Sequence, residues 1–414
     1  MPIESNPIAT ADQHAVELRA LELGQHPTVR RAYDEVRAFW LQAAAPSPEM
    51  RACFEWAFDE VMFCAAVWSL NQDPQHPKVV TITRLAHTVG DVAVPGSRYG
   101  HDNPDSIYRV IPIAGSERYL INGQVPERRL TENYFTLWDP KMNTVDILNG
   151  SNLALNSDRT FTITVDSDPA DGRPNHIRSS PQAHEFYIRD VILDWAADVA
   201  NSLSIEKLGP PTTPQKSDDE QAELTARFMR YYAENTLRWV GFTCRRPVND
   251  FRMKLDADTD GALRNQIYMG GQFRLTDEEA LVLTVRLGGA KYFIAPITNI
   301  WGTTNDILNR TGSLNKAQSV ANPDGTYTYV VSVADPGVHN WVDPSGLHEG
   351  IMTLRWAEFS TGRPTTDLGV QSEVVPLAQL RNALPAGTRF VTAAERREQI
   401  AERARNYAWR LLDH

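Results

Sequence analysis

The chain has 414 residues, too many for one small core, and its composition (42% hydrophobic, 22% charged, 9% aromatic) is that of a globular protein. Its 41 basic side chains against 52 acidic ones leave a formal charge of −11. That argues against a nucleic-acid partner, whose binders carry a basic face, and against an anionic membrane surface.

The opening, MPIESNPIATADQH, has no basic stretch followed by an apolar one, so no secretory signal is expected. No apolar run approaches the roughly 18 residues that a bilayer span needs. Cys53 and Cys64 fall on one predicted helix, about 16 Å apart along its axis, too far to bond to each other. Cys244 stands alone, and a reducing cytoplasm is the expected compartment.

Residues 1–75 read as a helical region. Val29, Ala32, Tyr33, Val36, Trp40 and Ala43 recur at the helical period. After Pro46, Ser47 is an N-cap candidate with Pro48 at the first helical position. Met50, Cys53, Phe54, Ala57, Val61, Cys64, Ala65 and Trp68 continue an apolar face, read as core packing against a sheet. From residue 76 to 205 the pattern changes to short alternating runs between closely spaced turn signals. These include Val79–Thr83, Ser106–Ile113, Tyr134–Trp138 and Thr160–Val165, which predict an antiparallel β-sandwich or jelly roll. The stretch 184–205 reads as a strand leading into a short helix. Residues 206–243 read as a linker and a helix capped by Asp218 or Asp219. A second β unit spans 244–390, and Thr392 caps a last helix in 391–414. That helix carries Ile400, Ala401, Ala404, Tyr407, Ala408 and Leu411 as one stripe, expected to pack on the body. The expected class is α+β with a mostly-β core of antiparallel sandwich units.

Three constellations carry chemistry. RYGHDNPDSIYR places His101, Asp102, Asn103, Asp105, Tyr108 and Arg109 on a turn feeding a strand. Either the Asp side chains bond local amides, or the turn faces a ligand with a carboxylate beside His and Arg. The stretch from Asn299 to Trp356 is richer, with Trp301, Asn305, Asn309, Arg310, Asn315, Asp335, His339, Asn340, Trp341, Asp343, His348, Glu349 and Arg355 on Gly, Pro and Asn turns beside apolar strands. Asp256, Asp258, Asp260 and Gly261 open like a calcium loop, but Arg264 and Ile267 stand at its ninth and twelfth positions, so a solvated acidic turn is the better reading. His184-Glu185 opens like HExxH but meets Ile188 at the fifth position. Walker, GxGxxG, GxSxG and CxxC patterns are absent, so no metal site and no cofactor is expected.

HDNPDSIYRVIPI with RYLINGQ, IRDVILDWAADVANSLSIEKLG, and the block from SLNKAQ to DPGVHNWVDPSGLHEGIMTLRW resemble a bacterial family of unknown function, the 1214 type. Its members often carry a companion domain of the 1254 type. The resemblance covers roughly residues 75–390. It implies mostly-β, jelly-roll-like sandwiches with helical additions, and no particular reaction.

The residues point to a cofactor-independent acid–base enzyme, a hydrolase or lyase acting on a small neutral organic or sugar-like molecule. Asp105, Asp335, His339, Asp343, His348 and Glu349 are the candidates for proton transfer. Trp301 and Trp341 would stack on the ligand. His101, Tyr108, Arg109, Asn305, Asn309, Arg310, Asn340 and Arg355 would position it. A non-catalytic binding or assembly protein is the alternative, and a homo-oligomer is left open. Because sites form between domains, Asp105, Tyr108 or Arg109 is expected to line one cleft with Asp335, His339 or Trp341.

Overall fold

The computed structural model describes residues 6–254, 266–360, 362–365 and 367–413. The N-terminal region forms helices α1 (Ala11–Leu23), α2 (Pro27–Ala44), α3 (Pro48–Ala52) and α4 (Phe54–Leu70). The chain turns where expected. Ala45 ends α2 in the left-handed region at φ 41°, and the Ser47 hydroxyl caps α3 by accepting from the Met50 amide at 3.2 Å. Helix α4 is apolar nearly all round, with Phe54, Phe58, Val61, Met62 and Cys64 buried, as a helix enclosed by protein must be.

The alternating strands form two β-sandwiches. In the first, one sheet runs in the order Val80–Ile82, Ser106–Pro112, Glu185–Val191, Glu132–Trp138, Thr144–Asn149. It faces a sheet ordered Ser202–Lys207, Tyr119–Gln124, Thr160–Asp166, His176–Arg178. Ile111, Phe135, Phe186 and Ile188 meet Ile121, Phe161, Ile163 and Val165 in the core between them. The other face of the first sheet is also covered. Val80, Ile82, Tyr108 and Val110 pack with α4 and with α5 (Asp218–Thr243). A strand covered on both faces reads as continuously buried, and every residue of Ser106–Pro112 is.

The second sandwich pairs a sheet ordered Met253–Lys254, Leu368–Pro376, Glu279–Leu287, Tyr327–Val331 with one ordered Gln266–Arg274, Glu349–Phe359, Ala290–Thr298, Ser313–Asn315. Its core sets Leu281, Leu283 and Tyr329 against Phe293, Leu354 and Trp356. The short α6 (Leu380–Ala383) follows its last strand. The fold is thus α+β, with mostly-β sandwich cores.

Three local expectations change. Residues 202–207 form a strand rather than part of a helix, because Leu203 and Ile205 alternate with Ser202, Ser204 and Glu206 and the segment pairs with Tyr119–Gln124. The cap of α5 is Ser217, in a capping box with Glu220, while Asp218 and Asp219 occupy the first turn beside the positive end of the helix. In α7 (Ala393–Tyr407), capped by Thr392 with Glu395, the expected apolar stripe is only partly covered: Tyr407 is buried, but Ala408 is exposed. Buried as deeply as Tyr407 are three arginines, Arg396, Arg403 and Arg410. A spacing of seven residues keeps them on one face. Arg396 pairs with Asp335 at 2.9 Å, Arg403 donates to the Ile307 carbonyl at 2.6 Å and the Ser313 carbonyl at 2.9 Å, and Arg410 donates to the Pro104 carbonyl at 2.6 Å. The C-terminal segment therefore straps the two sandwiches together.

Candidate functional site

The candidate catalytic groups of the Asn299–Trp356 stretch are not gathered in one cleft. Asp335 pairs with Arg396 and accepts from the Gly337 amide at 2.8 Å. Asp343 is buried against Arg310 at 3.2 Å and the Ser345 amide at 2.7 Å; burial raises its carboxyl above the usual range. His348 lies between Glu49 at 2.7 Å and Asp277 at 3.2 Å, and the Glu49 hydrogen bond raises its pKa. Glu349 takes the Ser47 hydroxyl and Arg274. Asn340 clips Val320 and Thr328 backbone groups, and Asn309 bonds Asp306. The side-chain oxygen of Asn305 lies 3.5 Å from the Asn299 amide nitrogen. Asn309 and Asn340 are thus bonded within their own turns and strands, whereas Asp335, His348 and Glu349 are taken up by partners far along the chain.

The two tryptophans are anchors, not ligand platforms. Trp301 is fully buried between Trp40 and Phe54, at 5.6 and 4.6 Å between ring centres, and donates to the Met50 carbonyl at 2.8 Å. Trp341 donates to the Ser332 carbonyl at 3.0 Å and lies under Arg396. His339 lines a separate hollow of about 230 Å³ with Trp195, Gln399 and Arg403, and desolvation lowers its pKa.

The first constellation does meet the second, but as a sealed joint. Asp105 accepts from Trp195 Nε1 at 2.7 Å, Asn315 Nδ2 at 3.0 Å and the Tyr292 hydroxyl at 2.9 Å, and is wholly buried. His101 Nδ1 lies 2.9 Å from the Thr298 hydroxyl, and burial pushes its pKa down to about 4. Arg355 donates to the Tyr108 hydroxyl at 3.2 Å and to the His101 carbonyl. Arg109 is closed in a buried pair with Asp190. The expected shared cleft does not form, because packed polar contacts fill the junction.

The cavity lies on the other side of Tyr108. It measures about 450 Å³ and sits between the helix-facing side of the first sheet and helices α4 and α5. Strand alternation builds its floor. Phe186 and Ile188 enter the sandwich core, so Glu185 and Tyr187 face the helices, and the register sets Trp138 directly opposite Glu185. Trp138 and Tyr187 stack at 4.3 Å with Trp68 of α4 beyond, at 6.0 Å from Tyr187. Tyr232 of α5 stacks on Tyr99 at 3.9 Å and meets Trp68 edge-to-face at 5.8 Å. Glu185, buried at 7% exposure, receives Trp68 Nε1 at 2.9 Å and Gln72 Nε2 at 3.1 Å, both on Oε2. Burial pushes its carboxyl up. Asp102, also in the lining, accepts the Thr304 amide at 2.8 Å and hydroxyl at 2.6 Å.

The backbone here is held out of its ordinary range. Thr83, a β-branched residue in the lining, has φ 64°, and Gly100 has φ 76° with Trp239 so close that an added Cβ would lie 3.2 Å from its ring. Strain of this kind in a cavity wall persists only where surrounding structure imposes it. Of the residues in the first constellation, Tyr108 and Asp102 line this cavity. The sequence offers Glu185 only as the start of an incomplete HExxH and Trp68 only as core packing, and it gives Tyr187, Trp138 and Tyr232 no role. The two-residue period of Glu185-Phe-Tyr-Ile was the available signal, since it sets a carboxylate and a ring on the face opposite the core.

The fold is shared with a solved protein. An uncharacterised protein from Burkholderia cenocepacia superimposes with a TM-score of 0.70 at 21% identity, over 87% of this chain and 99% of that one. The VPA0106 protein from Vibrio parahaemolyticus gives a TM-score of 0.42 at 11% identity, over 66% of this chain and 90% of that one. No family model and no curated protein matches the chain. Among the described residues, no group of three His, Cys, Asp or Glu side chains is arranged to hold a metal, and no helix is long and apolar enough to cross a membrane. The calcium-loop candidate, Asp256 to Arg264, lies outside the described residues.

Proposed function

We propose that this protein binds a small, largely apolar organic molecule in the aromatic cavity, with Glu185 as the polar group that the molecule meets. One observation carries the reading: a buried carboxyl with its pKa raised, set among stacked rings in a cavity of about 450 Å³. Pockets of this size with apolar walls and few placed polar groups are the usual form of small-molecule sites. Acid–base conversion of the bound molecule, of hydrolase or lyase type, is the second reading. It is favoured by the same carboxyl, which keeps its proton to higher pH than an exposed one and is therefore suited to general acid–base work. As part of this proposal the chain is placed with the 1214-type family that its HDNPDSIYR and DPGVHNWVD segments resemble; that placement adds no activity.

A thermal-shift screen of small cyclic organic molecules tests the reading. A ligand at about a hundred times its Kd adds roughly 2.7 kcal/mol to native stability. Hits should stabilise the wild type but not Leu224→Trp, which fills the cavity from α5. Hits that act equally on both proteins, or a library without hits at millimolar concentration, would overturn it.

A further inference from the structure

We infer that the molecule bound in this cavity is an organic amine, protonated and carrying an apolar body. The inference rests on the cavity reading above and adds the charge of the ligand. Several buried carboxylates have a cation beside them: Glu17 has Arg84 at 2.8 Å, Asp190 has Arg109, and Asp343 has Arg310 at 3.2 Å. Asp105 instead has its oxygens taken up by three neutral donors in a sealed joint, whereas Glu185 faces a cavity. Among the described residues no Lys, Arg or His forms an ion pair with it, and its two donors, Trp68 and Gln72, are neutral. Both donors sit on Oε2, which leaves Oε1 for a ligand. A second carboxylate, Asp102, lines the same cavity and is likewise held by neutral donors, the amide and hydroxyl of Thr304.

The basic side chains nearby act on the two carboxylates only at a distance, His184 on Glu185 and Arg98 on Asp102, and none forms an ion pair with either among the described residues. Arg238 donates to Asn235, Arg355 to the Tyr108 hydroxyl and the His101 carbonyl, and Arg98 to Glu60 and to the carbonyls of Thr304 and Asn305. Arg227 lines the cavity but is exposed, and His184 is half-buried next to Glu185. An unpaired carboxylate among rings is unfavourable until a counter-charge arrives. An ammonium supplies it, with an N–H donated to Oε1 in a charge-assisted hydrogen bond. The apolar body then covers Trp138, Tyr187 and Trp68. A neutral alcohol forms the hydrogen bond without the charge, and an anion meets two acids.

The test is calorimetric titration of the full chain with three probes of one shape: 2-phenylethylamine, 2-phenylethanol and phenylacetate, near neutral pH. The amine should bind about tenfold more tightly than the alcohol or better, a difference of about 1.4 kcal/mol, and phenylacetate should bind least. Glu185→Gln should bring the amine down to the level of the alcohol. Equal binding of amine and alcohol overturns the inference while leaving the cavity reading intact, and so does an amine preference that survives Glu185→Gln. Binding of all three that persists in Leu224→Trp, or no binding at millimolar concentration, overturns the cavity reading itself. Should Glu185→Gln fail to fold, the order of the three probes on the wild type decides alone.

Discussion

Replacing Arg403 with alanine should detach the C-terminal strap. The Arg403 guanidinium is 6% exposed, lies 4.3 Å over the Trp195 ring, and donates to the Ile307 carbonyl at 2.6 Å, the Ser313 carbonyl at 2.9 Å and the Ser313 hydroxyl at 2.6 Å. Desolvation lowers its pKa to about 10, still above neutrality, so the group is charged in the folded protein. Removing it orphans buried acceptors at about 1–3 kcal/mol each, and relieves part of this through the guanidinium desolvation that no longer has to be met. The net expected loss is about 3–5 kcal/mol. Arg403→Lys should recover only part, because an ammonium cannot reach several acceptors in a fixed fork while lying flat on a ring. Equilibrium urea unfolding measures the loss, and limited proteolysis near Thr392 reports whether α7 has come away. A loss under about 1 kcal/mol with α7 still protected would refute the reasoning and return the docking to Tyr407 and its apolar neighbours.

Truncation after Val391 removes all three buried arginines and should lower both melting temperature and solubility; an unchanged melt would contradict the strap. Glu132, buried between the sandwiches, has its pKa pushed from 4.5 up to about 7, chiefly by desolvation. Its folded-state pKa lies above the unfolded one, so the stability tied to its proton is fully present below about 4.5 and is lost as pH rises through 7, roughly 3 kcal/mol in all. Glu132→Gln should flatten that decline in urea midpoints taken across this window, and a parallel decline in the variant would count against it. Gly100→Ala combines φ 76° with a 3.2 Å approach to Trp239 and should cost about 1–3 kcal/mol while changing tryptophan fluorescence. An unaltered spectrum and melt would show that the turn relaxes freely.

The sequence by itself determined the elements and their class. Ser47-Pro48 and Thr392 with Glu395 are helix starts because a hydroxyl there satisfies an amide that the helix leaves open. The short extended runs Leu281–Leu287 and Tyr327–Val331 mark strands, whose alternate residues Leu281, Leu283, Tyr329 and Val331 enter the sandwich core. Periodicity is a local property, so it survives without knowledge of the fold. What covers the second face of a sheet is not local. Glu185 reads as the start of a failed metal motif until α4 and α5, one over a hundred residues before it, close over its strand and leave it dry beside Trp68. The dense polar stretch around Asp335 and His348 misled for the opposite reason. Its groups are satisfied one by one by partners as distant as Arg396 and Glu49, and the sequence shows side chains without showing what they bond. Arg396, Arg403 and Arg410 would ordinarily be the wet face of a helix. Carbonyls of Val338, Ile307, Ser313 and Pro104, brought together only when two sandwiches dock, make that face the buried one.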